Sequence, residues 1–110
     1  MSDKISGIIE HGCFFEGNLS FSGILRIAGQ FQGKIFTQDT LIINENAIVE
    51  AEVIAGVVII SGKFKGKIKA NSRVEIKKPA YFVGSIISPS LLVEEGVTFK
   101  GETKVHETSL

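Results

Sequence analysis

Apolar and polar residues alternate with period two along almost the whole chain, and nowhere do apolar residues hold the i, i+3, i+4, i+7 spacing over a helical length. The pattern predicts short strands and no helix. Within it one five-residue phrase recurs six times: Phe15-Glu16-Gly17-Asn18-Leu19, Phe31-Gln32-Gly33-Lys34-Ile35, Val49-Glu50-Ala51-Glu52-Val53, Phe64-Lys65-Gly66-Lys67-Ile68, Phe82-Val83-Gly84-Ser85-Ile86 and Phe99-Lys100-Gly101-Glu102-Thr103. Its small middle residue falls at 17, 33, 51, 66, 84 and 101, a spacing of 15 to 18 residues. Self-similarity at such a period is the signature of a repeat architecture.

The rest of each repeat lies upstream of the phrase. An aliphatic precedes its first residue by six positions in Ile9/Phe15, Ile43/Val49, Ile76/Phe82 and Val93/Phe99, and by four in Ile27/Phe31 and Ile60/Phe64. The longer version places Cys13, Ala47, Ala80 or Val97 in between, after turn-tolerant sequences such as Glu10-His11-Gly12, Asn44-Glu45-Asn46, Lys77-Lys78-Pro79 and Glu94-Glu95-Gly96. The shorter bends use Ala28-Gly29 and Ser61-Gly62. One repeat is therefore a strand, a bend and a second strand. The expectation is an all-β fold, a parallel β-helix (solenoid) of about six turns of ~17 residues with no capping helix, whose turns stack at ~4.8 Å. Residues 1–8 form a short N-terminal tail, 9–105 the β-helix and 106–110 a short C-terminal tail. Alternation places Phe15, Phe31, Val49, Phe64, Phe82 and Phe99 in one interior stack. The small residues after them fill the next inward site, where a narrow interior leaves little volume.

Composition narrows the function. Hydrophobic residues make up 44% of 110 residues, too many for a disordered chain. Twelve basic and twelve acidic residues cancel, so there is no electrostatic footprint for a nucleic acid. Cys13 is the only cysteine, which excludes an internal disulfide and fits a reducing, cytoplasmic setting. No apolar run approaches the ~20 residues that span a bilayer, and no signal peptide is visible.

Candidate chemistry is sparse. His11 and His106 lie at opposite ends, too far apart to share a metal within one rod. Cys13 shares the register of Ala47, Ala80 and Val97, which predicts a small core residue, not a nucleophile. The pairs Glu50/Glu52 and Glu94/Glu95, and the row Lys63, Lys65, Lys67, Lys69, sit at outward positions of a convex rod and are expected on a solvated face. No cofactor or metal site is expected. Ile42, Ile48, Ile54 and Ile60 recur every six residues, as in left-handed β-helix acyltransferases. That run stops at Ile60, and no histidine lies in the middle of the coil. A third alternative is a partner-binding module that does not polymerise.

Residues 23–33 (GILRIAGQFQG), 58–68 (VIISGKFKGKI) and above all 79–101 (PAYFVGSIISPSLLVEEGVTFKG) resemble the bactofilins, bacterial polymer-forming cytoskeletal proteins. The resemblance covers residues 9 to 105. It implies a right-handed helix of triangular section and nucleotide-independent, nonpolar filaments. It also implies a scaffold at the inner face of the cytoplasmic membrane in cell shape and localised cell-wall synthesis, with cell-wall hydrolases or synthases and inner-membrane proteins as partners. Family members commonly carry longer tails, one of which can contact membrane; the short tails here argue against direct membrane contact.

A solenoid without capping repeats exposes unpaired strand edges and interior apolar surface at both ends, and such edges template association. The sequence thus places a polymerisation interface at Ile9, Phe14, Phe15, Leu19, Val97, Phe99 and Val105, with the chain itself as partner. Like ends would give a nonpolar polymer and unlike ends a polar one.

Overall fold

The computed structural model describes residues 5–105. Every element is a strand: β1 (Ile5–Ile9), β2 (Phe14–Phe21), β3 (Ile24–Ile27), β4 (Gln30–Thr37), β5 (Thr40–Ile43), β6 (Ile48–Ile60), β7 (Lys63–Ile76), β8 (Tyr81–Ser88), β9 (Leu91–Val93) and β10 (Thr98–Val105). All pairings are parallel. They form two ladders. The first runs β1, β3, β5, residues 57–60 of β6, residues 73–76 of β7, then β9. The second runs β2, β4, residues 48–55 of β6, residues 63–69 of β7, then β8 and β10. One rung of each ladder makes a turn, and about six turns stack into a β-solenoid. In β6 and β7 the second-ladder rung of one turn runs without interruption into the first-ladder rung of the next.

The bends between first and second ladder are of two lengths, as the sequence spacing predicts. Residues 10–13, 44–47, 77–80 and 94–97 form long bends, and 28–29 and 61–62 short ones. Each long bend closes in the same way: the N–H groups of Cys13, Ala47, Ala80 and Val97 donate to the carbonyls of Glu10, Asn44, Lys77 and Glu94. The connections that return to the first ladder are tied by side chains. Thr37 Oγ1 accepts from Asp39 N–H at 3.0 Å, Asp39 Oδ2 accepts from Gly23 N–H at 2.7 Å, and Ser88 Oγ donates to the Ser90 carbonyl at 2.7 Å. Among the described residues Thr37 and Ser88 are the buried polar side chains, and these bonds satisfy them.

The register matches the repeat. Phe15, Phe31, Val49, Phe64, Phe82 and Phe99 are successive partners. Their rings stack wherever two phenylalanines are adjacent: Phe15 on Phe31 at 5.2 Å, Phe64 on Phe82 at 5.3 Å and Phe82 on Phe99 at 5.0 Å between centroids. Val49 interrupts the column. Leu25, Leu41, Val58 and Val74, and Ile27, Ile43, Ile60 and Ile76, build the opposite wall of the interior. Each fully buried Phe contributes about 1.5–3 kcal/mol before ordering costs.

Two expectations change. The solenoid starts earlier than Ile9: β1 begins at Ile5, which pairs with Ile24, inside the segment read as a tail. The small-residue column also has another cause than a narrow interior. Gly33 and Gly66 hold φ of 137° and 138°, which L side chains rarely adopt, and a Cβ on either would overlap the carbonyl oxygen of the residue stacked one turn earlier, Gly17 or Ala51. At these glycines the close approach of backbone between turns leaves no room for a Cβ; Ala51, in the same register, carries one and is buried.

Candidate functional site

The candidate site lies at the two ends of the solenoid. In the interior turns the inward side chains are sealed: Phe31, Phe64 and Phe82 are 2%, 1% and 0% exposed. In the first and last turns the equivalent residues only half-enter the core. Ile9, Phe15, Leu19 and Phe21 at one end, and Leu91, Val97 and Phe99 at the other, pack on the core on one side and are partly open on the other. Backbone pairing ends in the same places. Among the described residues β1 pairs only with β3, β2 only with β4, β9 only with β7 and β10 only with β8. Four strand edges therefore present unpaired N–H and C=O groups around two apolar cross-sections.

Ile9, Phe15 and Leu19 are brought together at the first end, and Val97 and Phe99 at the last. Phe14 lies at an outward position of β2, 59% exposed, and borders that end without lining it. Val105 closes β10 opposite Ser88, and its side chain lies outside the described residues, as does His106. Phe21 and Leu91 belong to the ends but not to the sequence-based set. Phe21 continues the inward period of Phe15, Gly17 and Leu19, so that signal was present in the sequence; Leu91 is placed only by its pairing with Val74.

Cys13 is a correction. It keeps the register of Ala47 and Ala80, which are 1% and 2% exposed, yet its side chain is exposed. The reason is position: Cys13 is in the first turn, where no further turn covers it. His11 stands in a surface notch with Asn44, Glu45, Asn46 and Ser61. Glu50, Glu52, Glu94, Glu95 and the four lysines of β7 are exposed. Glu50 Oε1 accepts from Gln32 Nε2, and Glu94 Oε1 from Lys78 N–H. The six-residue isoleucine run does not share an inward column. Ile60 is buried, whereas Ile48 and Ile54 are 47% and 42% exposed and Ile42 is part-buried on the outer side. Among the described residues no three His, Cys, Asp or Glu converge as metal ligands, and no helix is long and apolar enough to cross a membrane.

The sides of the rod differ. The second ladder alternates along most of its length, with Phe36, Ile54 and Ile87 exposed among Lys34, Glu52, Lys67 and Lys69 along a shallow groove. The first ladder carries apolar residues at most of its outward positions as well. Its outward positions include Ile8, Ile24, Ile42, Val57, Ile59 and Leu92, interrupted by Arg26, Thr40, Arg73 and Glu75.

Comparison with known proteins agrees with this architecture. The family model described as "Bactofilin: Polymer-forming cytoskeletal" matches residues 7–104. The chain is 33% identical over 94 residues to Bactofilin BacO of Myxococcus xanthus (strain DK1622), covering 86% of this chain and 75% of that protein. It is 28% identical over 100 residues to Bactofilin BacP of the same organism, covering 91% of this chain and 42% of that protein. The chain thus spans less than half the length of BacP. No solved structure matches.

Proposed function

The chain belongs to the bactofilins, a polymer-forming cytoskeletal family, and from that premise we propose that its two open ends join copies of the chain end to end into nucleotide-independent filaments. The observation that carries this reading is the half-burial of Ile9, Phe15, Leu19 and Phe21 at one end and of Leu91, Val97 and Phe99 at the other. These residues belong to columns that are fully buried one turn further in. A second chain seated on either end would continue the columns and pair the free edges of β1, β2, β9 and β10. The stabilisation comes from the remaining apolar area leaving water, at roughly 25 cal/mol per Å², together with backbone hydrogen bonds of about 1 kcal/mol each.

The filament would act in the cytoplasm, at the inner face of the membrane, as a scaffold in cell shape and in placing cell-wall enzymes. Its long exposed sides offer the surface such partners would occupy. Negative-stain electron microscopy of the purified protein without nucleotide tests the assembly step. Filaments of extended length support it; a homogeneous monomer or closed dimer at tens of micromolar protein would refute it.

A further inference from the structure

The first ladder carries a self-complementary pattern on its outer surface. Ile8, Arg26, Ile42, Ile59, Glu75 and Leu92 are successive partners and form one outward column, one residue per turn. Read from either end the column has the same character: apolar, charged, apolar, apolar, charged, apolar. Only the sign of the charge differs, Arg26 in the second turn and Glu75 in the fifth. We propose that this face binds a second copy of the chain side to side, with the two solenoid axes antiparallel. The proposal concerns a surface distinct from the ends and does not depend on end-to-end joining.

The geometry follows from a two-fold axis along the strand direction between the third and fourth turns. That operation lays each column on its own copy and reverses the order of turns. Ile8 then faces the partner's Leu92, Ile42 faces the partner's Ile59, and Arg26 faces the partner's Glu75. Apolar meets apolar and each charge meets its opposite. The parallel arrangement sets Arg26 against Arg26 and Glu75 against Glu75, which like-charge repulsion disfavours.

One detail supports a second copy as the occupant. Glu75 is already oriented: Arg73 Nε lies 2.6 Å from its Oε2 and Lys77 Nζ 3.8 Å from its Oε1, and a carboxylate has acceptor capacity for a further guanidinium. Beside the column the same axis sets Arg73 and Lys77 against the partner's Ile24 and Ala28, and Glu10 against the partner's Glu94, a like-charge contact at the margin of the face. The face is small, on the order of 24 Å by 13 Å from strand geometry, so a single pair is weak and must be trapped.

Disulfide trapping reads the arrangement. In a Cys13→Ser background, Arg26→Cys protein is mixed with Glu75→Cys protein and oxidised. Within one chain the two positions are three turns apart, ~14 Å, beyond the ~7 Å that a disulfide can bridge, and unlike-end stacking leaves them equally far apart. The expected result is a covalent dimer from the mixture and none from either variant alone. Ile24→Cys mixed with Arg73→Cys, which the same axis brings together, is the second pair, and circular dichroism establishes that each variant is folded. A dimer from a single variant alone indicates parallel pairing and overturns the proposal. So does the absence of a dimer from both mixtures of folded proteins.

Discussion

The rings of Phe82 and Phe99 stack with centroids 5.0 Å apart and planes 11° apart, yet Phe82 is fully buried and Phe99 is only half-buried. The two residues are chemically and conformationally equivalent. What separates them is that Phe82 has a turn on each side and Phe99 has one.

Substituting Phe99→Arg is expected to abolish filaments while leaving the fold. The charge would stay solvated in an isolated chain and would be buried without a partner in a joined one, a cost of several kcal/mol. Sedimentation and electron microscopy, with circular dichroism as the check on folding, measure it. Filaments formed by a folded Phe99→Arg protein would remove this end from the interface.

The same asymmetry predicts unequal stability effects. Phe82→Ala should cost about 3–5 kcal/mol, as for a large side chain removed from a sealed core. Phe15→Ala should cost a fraction of that in dilute, unassembled protein, because part of its ring already meets water. Urea titrations of the two variants, made where the parent does not sediment, compare them directly.

The glycine column gives a matched pair of substitutions. Gly66→Ala adds a Cβ that overlaps the Ala51 carbonyl, on top of the strain of a positive φ, which is about 1–3 kcal/mol for a non-glycine residue. Gly17→Ala carries the φ strain, at 141°, but its Cβ would meet only the Phe15 ring at 3.8 Å. Thermal melts should therefore show a clearly larger loss for Gly66→Ala. Equal losses would mean that backbone approach between turns is not what holds the column.

Thr37→Val should destabilise by about 1–2 kcal/mol despite keeping its shape, because it leaves Asp39 N–H without the hydroxyl that accepts from it. Cys13 should react with Ellman's reagent in the native protein at the rate of an open thiol. A reaction requiring denaturant would contradict its exposure.

These residues also mark how much was legible in the sequence. Period-two alternation and the Phe-x-Gly spacing located the turns and the stacked register, because a repeat fixes the same inward position in every turn. The fate of Cys13 was not legible. Its register is that of a core residue, and only its place in the first turn exposes it. The glycines were found for the wrong reason, since carbonyl approach between stacked turns is a three-dimensional relation that interior volume does not describe. Thr37 and Ser88 gave no signal either: each occupies a strand-end position, and its hydrogen bond to a residue two places on appears only when the connection is folded.

The two bend lengths have a practical consequence. At residues 44–47 a long bend projects between short ones at 28–29 and 61–62, with Asn44, Glu45 and Asn46 lining an open notch. Exposed loop tips of this kind accept inserted sequence with little disturbance of the elements they join. A small reporter placed there would leave both chain termini and both end faces untouched, so live-cell position and assembly could be followed in the same molecule.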